Sequence, residues 1–383
     1  MRYRSFPRVP GLPVSVLGFG CMRLPVVGGD LKQIDEEPAR ALLRQGIDRG
    51  INYVDTAYPY HGGQSEPFVG RALKDGYRDK VLLATKLPVW LVQTEADWER
   101  LLDEQLQRLD TDHIDFYLLH ALGAARWETV LRLRGLLAME RALADGRIRH
   151  LGFSFHDALQ VFKPIVDGYD WEFCQIQFNF MDEYYQAGLE GLDYAAARGV
   201  GVIAMEPLRG GTLAAEQPPD VQRTWARSPV SRTAAAWALQ WVWDHPGVVT
   251  ALSGMNADVQ LQENLAAAAG ARPGGLMTEE LALVDEVREF YAARIRVPCT
   301  TCGYCAPCPN GVAIPETFAS YNTGSMFGNW KAAAFAYGAF VAGPGHGGDK
   351  CEECGACEPK CPQQIDIPAR LKEAHEVLTA QPG

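Results

Sequence analysis

Val81-Leu82-Leu83-Ala84-Thr85-Lys86, then residues 95–109, then Ile114-Asp115-Phe116-Tyr117-Leu118-Leu119-His120 decide how this chain is read. Two apolar runs of strand length flank an amphipathic stretch of helix length. Both are mostly continuous apolar runs rather than alternating ones, as in strands buried on both faces. The unit recurs in both directions. Further candidate strands lie at residues 14–20, 51–55, 148–154, 174–177, 201–205 and 248–252, and further helices at 37–49, 127–144, 186–197 and 232–243. Strand then helix, repeated eight times in about 260 residues, predicts an α/β protein of the (β/α)8 TIM-barrel class. A doubly wound open sheet would want G-x-G-x-x-G after its first strand. Gly18-Phe19-Gly20 lacks the third glycine and opens no helix.

Chemistry gathers at the ends of the predicted strands. Asp55 ends the second, with Tyr60 in the loop beyond it; Lys86 ends the third and His120 the fourth. On a barrel these ends converge on one mouth. An unpaired ammonium is costly to bury, so Lys86 needs a carboxylate, and Asp55 on the neighbouring strand is the candidate. Taken singly, each residue has a plainer explanation as a cap, an interfacial aromatic, a solvated cation or a core imidazole.

The 383 residues hold 47% hydrophobic and 22% charged side chains, which excludes disorder. Lys and Arg number 36 against 47 Asp and Glu, a net charge of −11, which argues against nucleic acid or an anionic membrane as partner. No apolar stretch follows the N-terminus, so no signal peptide is read there. Residues 332–343 are too short a run to span a bilayer. A cytoplasmic chain is expected.

Of the ten cysteines, only Cys21 and Cys174 precede residue 298, and both read as buried small hydrophobes. The other eight form two runs, Cys299-x2-Cys302-x2-Cys305-x2-Cys308-Pro309 and Cys351-x2-Cys354-x2-Cys357-x3-Cys361-Pro362. Thiolates at two-residue gaps suit iron–sulfur cubanes. Zinc ribbons separate their pairs by a longer spacer. After each fourth cysteine the chain repeats itself, Cys308-Pro-Asn-Gly-Val-Ala-Ile-Pro315 against Cys361-Pro-Gln-Gln-Ile-Asp-Ile-Pro368.

This last quarter resembles a duplicated bacterial-type ferredoxin with two [4Fe–4S] clusters. It departs from that family in the short gap before Cys308 and in an insert at 316–350. The resemblance implies that Cys299, Cys302, Cys305 and Cys361 hold one cluster, and Cys351, Cys354, Cys357 and Cys308 the other. The expected organisation is a barrel over residues 1–293 and a small, mainly helical iron–sulfur domain over 294–383.

Val54-Asp55-Thr56-Ala57-Tyr58-Pro59-Tyr60, Ser65-Glu66, Ala84-Thr85-Lys86, Asp115 to His120, Gly152-Phe153-Ser154 and Cys174-Gln175 together resemble the aldo-keto reductases. The likeness runs over about residues 10 to 270, with the stretch to Pro13 as a hairpin closing the barrel bottom. It implies an oxidoreductase that interconverts a carbonyl and an alcohol with a nicotinamide cofactor, through Asp55, Tyr60, Lys86 and His120. The family spacing selects Tyr60 over Tyr58 as the acid. Lys86, held charged by Asp55, is expected to depress the pKa of Tyr60, and His120 to polarise the carbonyl.

Among cofactor residues, Ser154 and Gln175 match the groups that bind the carboxamide, and Asn264 the adenine end. Met205 falls where many members stack an aromatic residue. Gly254 and Gln260 fall where Lys and Arg commonly neutralise the 2′-phosphate of NADPH. No Lys or Arg lies between Gly247 and Ala271, so a preference for NADH, or else unusually weak nicotinamide binding, is expected.

Clusters pass single electrons and nicotinamide passes a hydride, so a flavin between them is allowed for. Three functions fit: a reductase whose clusters exchange electrons with a redox partner protein, a reductase whose clusters are structural, and an electron-transfer or docking protein with vestigial barrel chemistry. The substrate class is a small carbonyl compound or alcohol. The cluster domain is expected near the barrel mouth, with Phe327, Trp330, Phe335, Tyr337 and Phe340 of the insert either walling the pocket or forming the small domain's own core. Trp90 is expected in the pocket.

Overall fold

The computed structural model describes residues 1–299, 305–361 and 363–380. The chain forms two compact units, Met1–Ala215 with Arg232–Leu281, and Glu216–Ser231 with Ala282–Gly383.

The first unit holds a two-stranded hairpin, β1 (Tyr3–Arg4) with β2 (Val14–Ser15), and eight parallel strands closed into a barrel. These are β3 (Leu17–Gly20), β4 (Tyr53–Asp55), β5 (Leu82–Leu87), β6 (Ile114–Leu122), β7 (Ile148–Phe155), β8 (Phe173–Gln177), β9 (Gly201–Met205) and β10 (Val248–Ser253). Each pairs with the next, and β10 closes on β3. The predicted first strand is therefore two elements: Val14–Ser15 belongs to the hairpin, and only Leu17–Gly20 enters the barrel. The helix expected over 127–144 is also two, Ala124–Arg132 and Gly135–Ala144. Arg134 turns left-handed between them (φ 52°). The indole of Trp98 donates to Leu133 O at 2.8 Å there, and a Cβ on Gly135 would lie 2.7 Å from that ring.

Side chains of a strand alternate between its faces. Tyr53, Ala84, Phe116, Leu118, Phe173 and Ile203 all belong to the apolar cluster filling the barrel, with Phe6 of the hairpin packed among them. Phe116 is its hub, with ring centroids 5.2 Å from Phe6, 5.2 Å from Tyr53 and 5.1 Å from Phe173. Gly152 leaves room for this packing, since a Cβ there would meet Phe173 O at 2.6 Å. Two positions further along the same faces come Asp55, Lys86, His120, Gln175 and Met205. One inward stripe thus runs from an apolar plug to polar residues at the strands' C-terminal ends.

The second unit has its own small core: Val297, Phe318, Tyr321, Tyr337 and Leu371 are buried, and six cysteines (Cys299, Cys305, Cys308, Cys351, Cys357, Cys361) pack against it. Helices Ile314–Phe327, Trp330–Tyr337 and Ile367–Thr379 supply most of it. The insert contributes Tyr337, whose hydroxyl accepts from Gly348 N and meets His375 Nδ1, each at 2.7 Å. Trp330 and Phe327 pack on Tyr321 and Tyr291, while Phe335 and Phe340 are exposed within the chain. Among the described residues, no helix is long and apolar enough to cross a membrane.

Candidate active site and cysteine cluster

Lys86 is fully buried at the end of β5. Its Nζ donates to Asp55 Oδ1 at 2.7 Å and to Thr56 O at 2.8 Å, and lies 3.3 Å from Tyr60 Oη. Burial alone would lower the lysine's pKa. The Asp55 charge and the Tyr60 oxygen more than offset this, and Lys86 is held charged. Burial pushes the Asp55 carboxyl up, against Lys86.

The expected fall in the Tyr60 pKa is not what the geometry produces. Burial dominates and Lys86 only opposes it; Asp55 and Glu206 add to the rise, so the net shift is upward. The phenol is therefore protonated at neutral pH. Tyr58, the other aromatic of the loop, is turned to different work: its hydroxyl donates to Glu104 at 3.1 Å, and Arg108 stacks on its ring at 4.0 Å.

The His120 ring stands edge-on to Tyr60 at 6.4 Å and packs on Trp90 at 5.0 Å. Among the described residues its buried Nδ1 has no partner. Burial, then the charges of Lys86, His156 and Arg126, hold it well below the usual histidine value, so the imidazole is neutral. A neutral imidazole, a protonated phenol and a fixed ammonium at one mouth can donate hydrogen bonds, and one proton, to an oxygen anion developing there.

Behind Lys86 lies a buried network that motif reading missed. Glu66 accepts from Thr85 Oγ1 at 2.7 Å and from Gln105 Nε2 at 2.5 Å. Gln105 also donates to Lys86 O at 3.1 Å and accepts from Tyr117 Oη at 2.6 Å. Glu66 stood in the sequence signature, but nothing there pointed to Gln105, a helix residue on no motif.

The predicted cofactor residues divide. Ser154 and Gln175 are buried at neighbouring strand ends, paired in register. Ser154 Oγ accepts from Ala121 N at 2.7 Å, Gln175 Nε2 donates to Met205 Sδ at 3.4 Å, and the buried Gln175 Oε1 has no partner among the described residues. Asn264 is buried and donates to Ser253 Oγ at 2.9 Å. Gln260 is exposed and accepts from Asn256 N at 2.8 Å. Gly254 is exposed, and a Cβ on it would lie 3.0 to 3.3 Å from the stem of Arg23. Arg23 itself faces Glu206 at 3.7 Å. It brings a cation to a site that looked bare along the sequence, because it arrives from the loop after β3.

In the second unit, Cys308 lines one cavity with Cys351, Cys354 and Cys357, closed by Ile314 and Leu371. A cysteine of the first run thus joins three of the second. The backbone curls to allow this, with left-handed residues at Glu353 and Gly355. Burial, then Cys351, Glu358 and Cys308, pushes the Cys357 thiol up; iron would take the place of such protons. Cys302 lies outside the described residues. Cys299, Cys305 and Cys361 pack on the same small core.

The model of the aldo/keto reductase family matches residues 16–289. The chain belongs to the aldo/keto reductase family. Residues 298–366 match the model of a 4Fe-4S dicluster domain, so this aldo/keto reductase carries an iron–sulfur domain after its barrel. It is 28% identical over 305 residues to L-galactose dehydrogenase of Arabidopsis thaliana, covering 73% of this chain and 92% of that one. It is 29% identical over 288 residues to methylglyoxal reductase YeaE of Escherichia coli, covering 70% and 92%. Among solved structures, the holo form of aldo-keto reductase AKR11C1 from Bacillus halodurans aligns with a TM-score of 0.62 at 28% identity, over 75% of this chain and 96% of that one. An aldo-keto reductase from Klebsiella pneumoniae in complex with NADPH aligns with a TM-score of 0.59 at 29% identity, over 75% and 95%.

Both implied groups fit the residues present. The orphaned acceptor of Gln175 suits the N–H of a carboxamide. Four thiols around one cavity suit a cubane.

Proposed function

We propose that this reductase interconverts a small carbonyl compound and its alcohol at the mouth of the barrel. Tyr60 gives its proton to the carbonyl oxygen, Lys86, held charged by Asp55, stabilises the phenolate left behind, and the neutral His120 orients and polarises the carbonyl. Ser154, Gln175 and Asn264 hold the nicotinamide cofactor, with Met205, Gly254 and Gln260 beside it. When bound, that cofactor supplies the hydride. The single observation carrying this reading is the chain of contacts from the buried Asp55–Lys86 pair at the strand ends to Tyr60 in the loop after β4. The test is reduction of a panel of aldehydes and ketones by wild type and Tyr60→Phe. Equal rates in both proteins would overturn it.

NADH is the favoured cofactor, because neither Gly254 nor Gln260 brings a cation and Arg23 faces Glu206. Titration with both dinucleotides decides this, and tighter binding of NADPH would reverse it.

Cys299, Cys302, Cys305 and Cys361 ligate one [4Fe–4S] cluster, and Cys308, Cys351, Cys354 and Cys357 the other. The clusters exchange single electrons with a redox partner protein. A flavin would be needed to join that traffic to hydride chemistry. A second reading, clusters that only hold the small unit together, is favoured by the packing of six cysteines on a core of few side chains. Flavin and iron assays with a reductive titration by NADH separate the two: clusters that bleach support exchange, and clusters inert to NADH and to dithionite support structure.

A further inference from the structure

We propose that Arg126 anchors an anionic group of the substrate, so that the site selects carbonyl compounds bearing a carboxylate a few bonds from the carbonyl carbon. This rests on the carbonyl-reduction reading above.

Arg126 lies in the first turn of the helix Ala124–Arg132, in the loop that follows His120. Its Nη1 donates to Ala121 O at 2.6 Å, and Ala121 is left-handed (φ 52°). Its guanidinium carbon sits 5.4 Å from the centre of the Trp90 ring, and the same ring packs on His120 at 5.0 Å. A single indole therefore touches both the cation and the imidazole that meets the carbonyl oxygen. Trp90 is 41% exposed, an apolar surface left for a ligand to cover.

Among the described residues Arg126 has no carboxylate partner, whereas Arg108, Arg147 and Arg209 each have at least one. The carboxylates on the adjoining loops are engaged elsewhere. Asp157 accepts from Ala124 N and Ala158 N at 2.9 and 2.7 Å, and Glu206 faces Arg23. Lys86 cannot serve as the anchor, because Asp55 already neutralises it. A guanidinium with one N–H fixed on a carbonyl keeps donors in a rigid fork that matches a carboxylate. His156, just after β7, lies within electrostatic reach of this cation. A bound oxo acid would lay its short chain along Trp90, with its carbonyl at Tyr60 and His120. Reduction adds one hydride from the reduced dinucleotide to the carbonyl carbon and one proton from Tyr60 to the oxygen; the carboxylate is unchanged.

The experiment compares 4-oxobutanoate with butanal, in wild type and Arg126→Met, using protein with its clusters intact. Methionine keeps a flexible stem over the indole and removes the charge. Wild type should favour the oxo acid in kcat/KM by about tenfold or more. R126M should lose about 10- to 100-fold on the oxo acid, chiefly in KM, and stay within about threefold on butanal. A wild type with no preference, or a variant that loses equally on both aldehydes, overturns the proposal. Calorimetric titration with succinamate, a carboxylate whose amide resists reduction, separates this from the broader reading. If neither aldehyde turns over, carbonyl reduction fails as the activity. Succinamate binding that weakens about tenfold in R126M then still supports the anchor, and equal binding in both proteins overturns it.

Discussion

The Nζ of Lys86 lies 3.3 Å from the hydroxyl of Tyr60, and the ammonium is held there by Asp55 at 2.7 Å. The three side chains come from β4, the loop after it, and β5, where Asp55 pairs in register with Ala84, two residues before Lys86. Lys86 serves both structure and chemistry, which makes its replacement informative.

Lys86→Met leaves a buried carboxylate with no cation. Breaking such a pair from one side costs about 3–5 kcal/mol, to be read as a lowered unfolding midpoint in urea. Changing Asp55 to Leu in the same protein should restore most of that stability without restoring activity. Stability unchanged in the single variant would mean that Asp55 is protonated in the folded protein.

The pH dependence of carbonyl reduction follows from two directions of shift. The phenol of Tyr60 must be protonated to act, and its pKa is raised above 10, so this requirement is met at neutral pH and lost only above that value. His120 must be neutral, and its pKa lies well below 6.5, so protonation switches it off only in more acid solution. kcat/KM for reduction should therefore be flat between those two ordinary values. Alcohol oxidation, which needs the phenolate, should rise with pH. A clear ionisation near pH 7 to 8 in the reduction profile would count against these assignments.

Glu66 has no contact with the reacting groups, yet it accepts hydrogen bonds from Thr85 and Gln105 beneath Lys86. Glu66→Ala leaves those buried donors unsatisfied and should cost about 1–3 kcal/mol. Glu66→Gln, which keeps an acceptor oxygen, should cost less. Denaturant unfolding of the two variants checks the order.

Crossed ligation predicts which cluster each cysteine supports. Cys308→Ala should disturb the same centre as Cys354→Ala, because both line one cavity. The two variants should give matching paramagnetic resonance spectra and about half the iron of the parent. Distinct spectra would assign Cys308 to the cluster of its own run.

Much of the barrel was legible because its strands are mostly continuous apolar runs, with the chemistry-bearing residues at their C-terminal ends. Tyr53 before Asp55, Ala84 before Lys86, and Leu118 before His120 are each spaced by two, which puts both members on one face of a strand. What stayed hidden depended on contacts between distant segments. Val14–Ser15 looked continuous with the first strand, and only pairing with Tyr3–Arg4 assigns it to the hairpin. The break at Arg134 answers to Trp98, on the preceding helix. Arg23 reaches Gly254 from the far end of the chain, so scanning the local sequence for a cation could not find it. Lys86 does lower the Tyr60 pKa, but spacing reports only that neighbouring ammonium and not the desolvation that outweighs it. Of the insert's aromatics, Tyr337 joins the small core while Phe335 and Phe340 do not, a division their composition alone could not make.

The most direct measurement is pre-steady-state reduction of a good aldehyde substrate by cluster-replete wild type and Tyr60→Phe, each saturated with reduced dinucleotide. The account predicts that dinucleotide binding survives in the variant while the hydride-transfer step slows by about 10²- to 10⁴-fold, the contribution of a positioned general acid. Transfer at the wild-type rate without the phenol would contradict it.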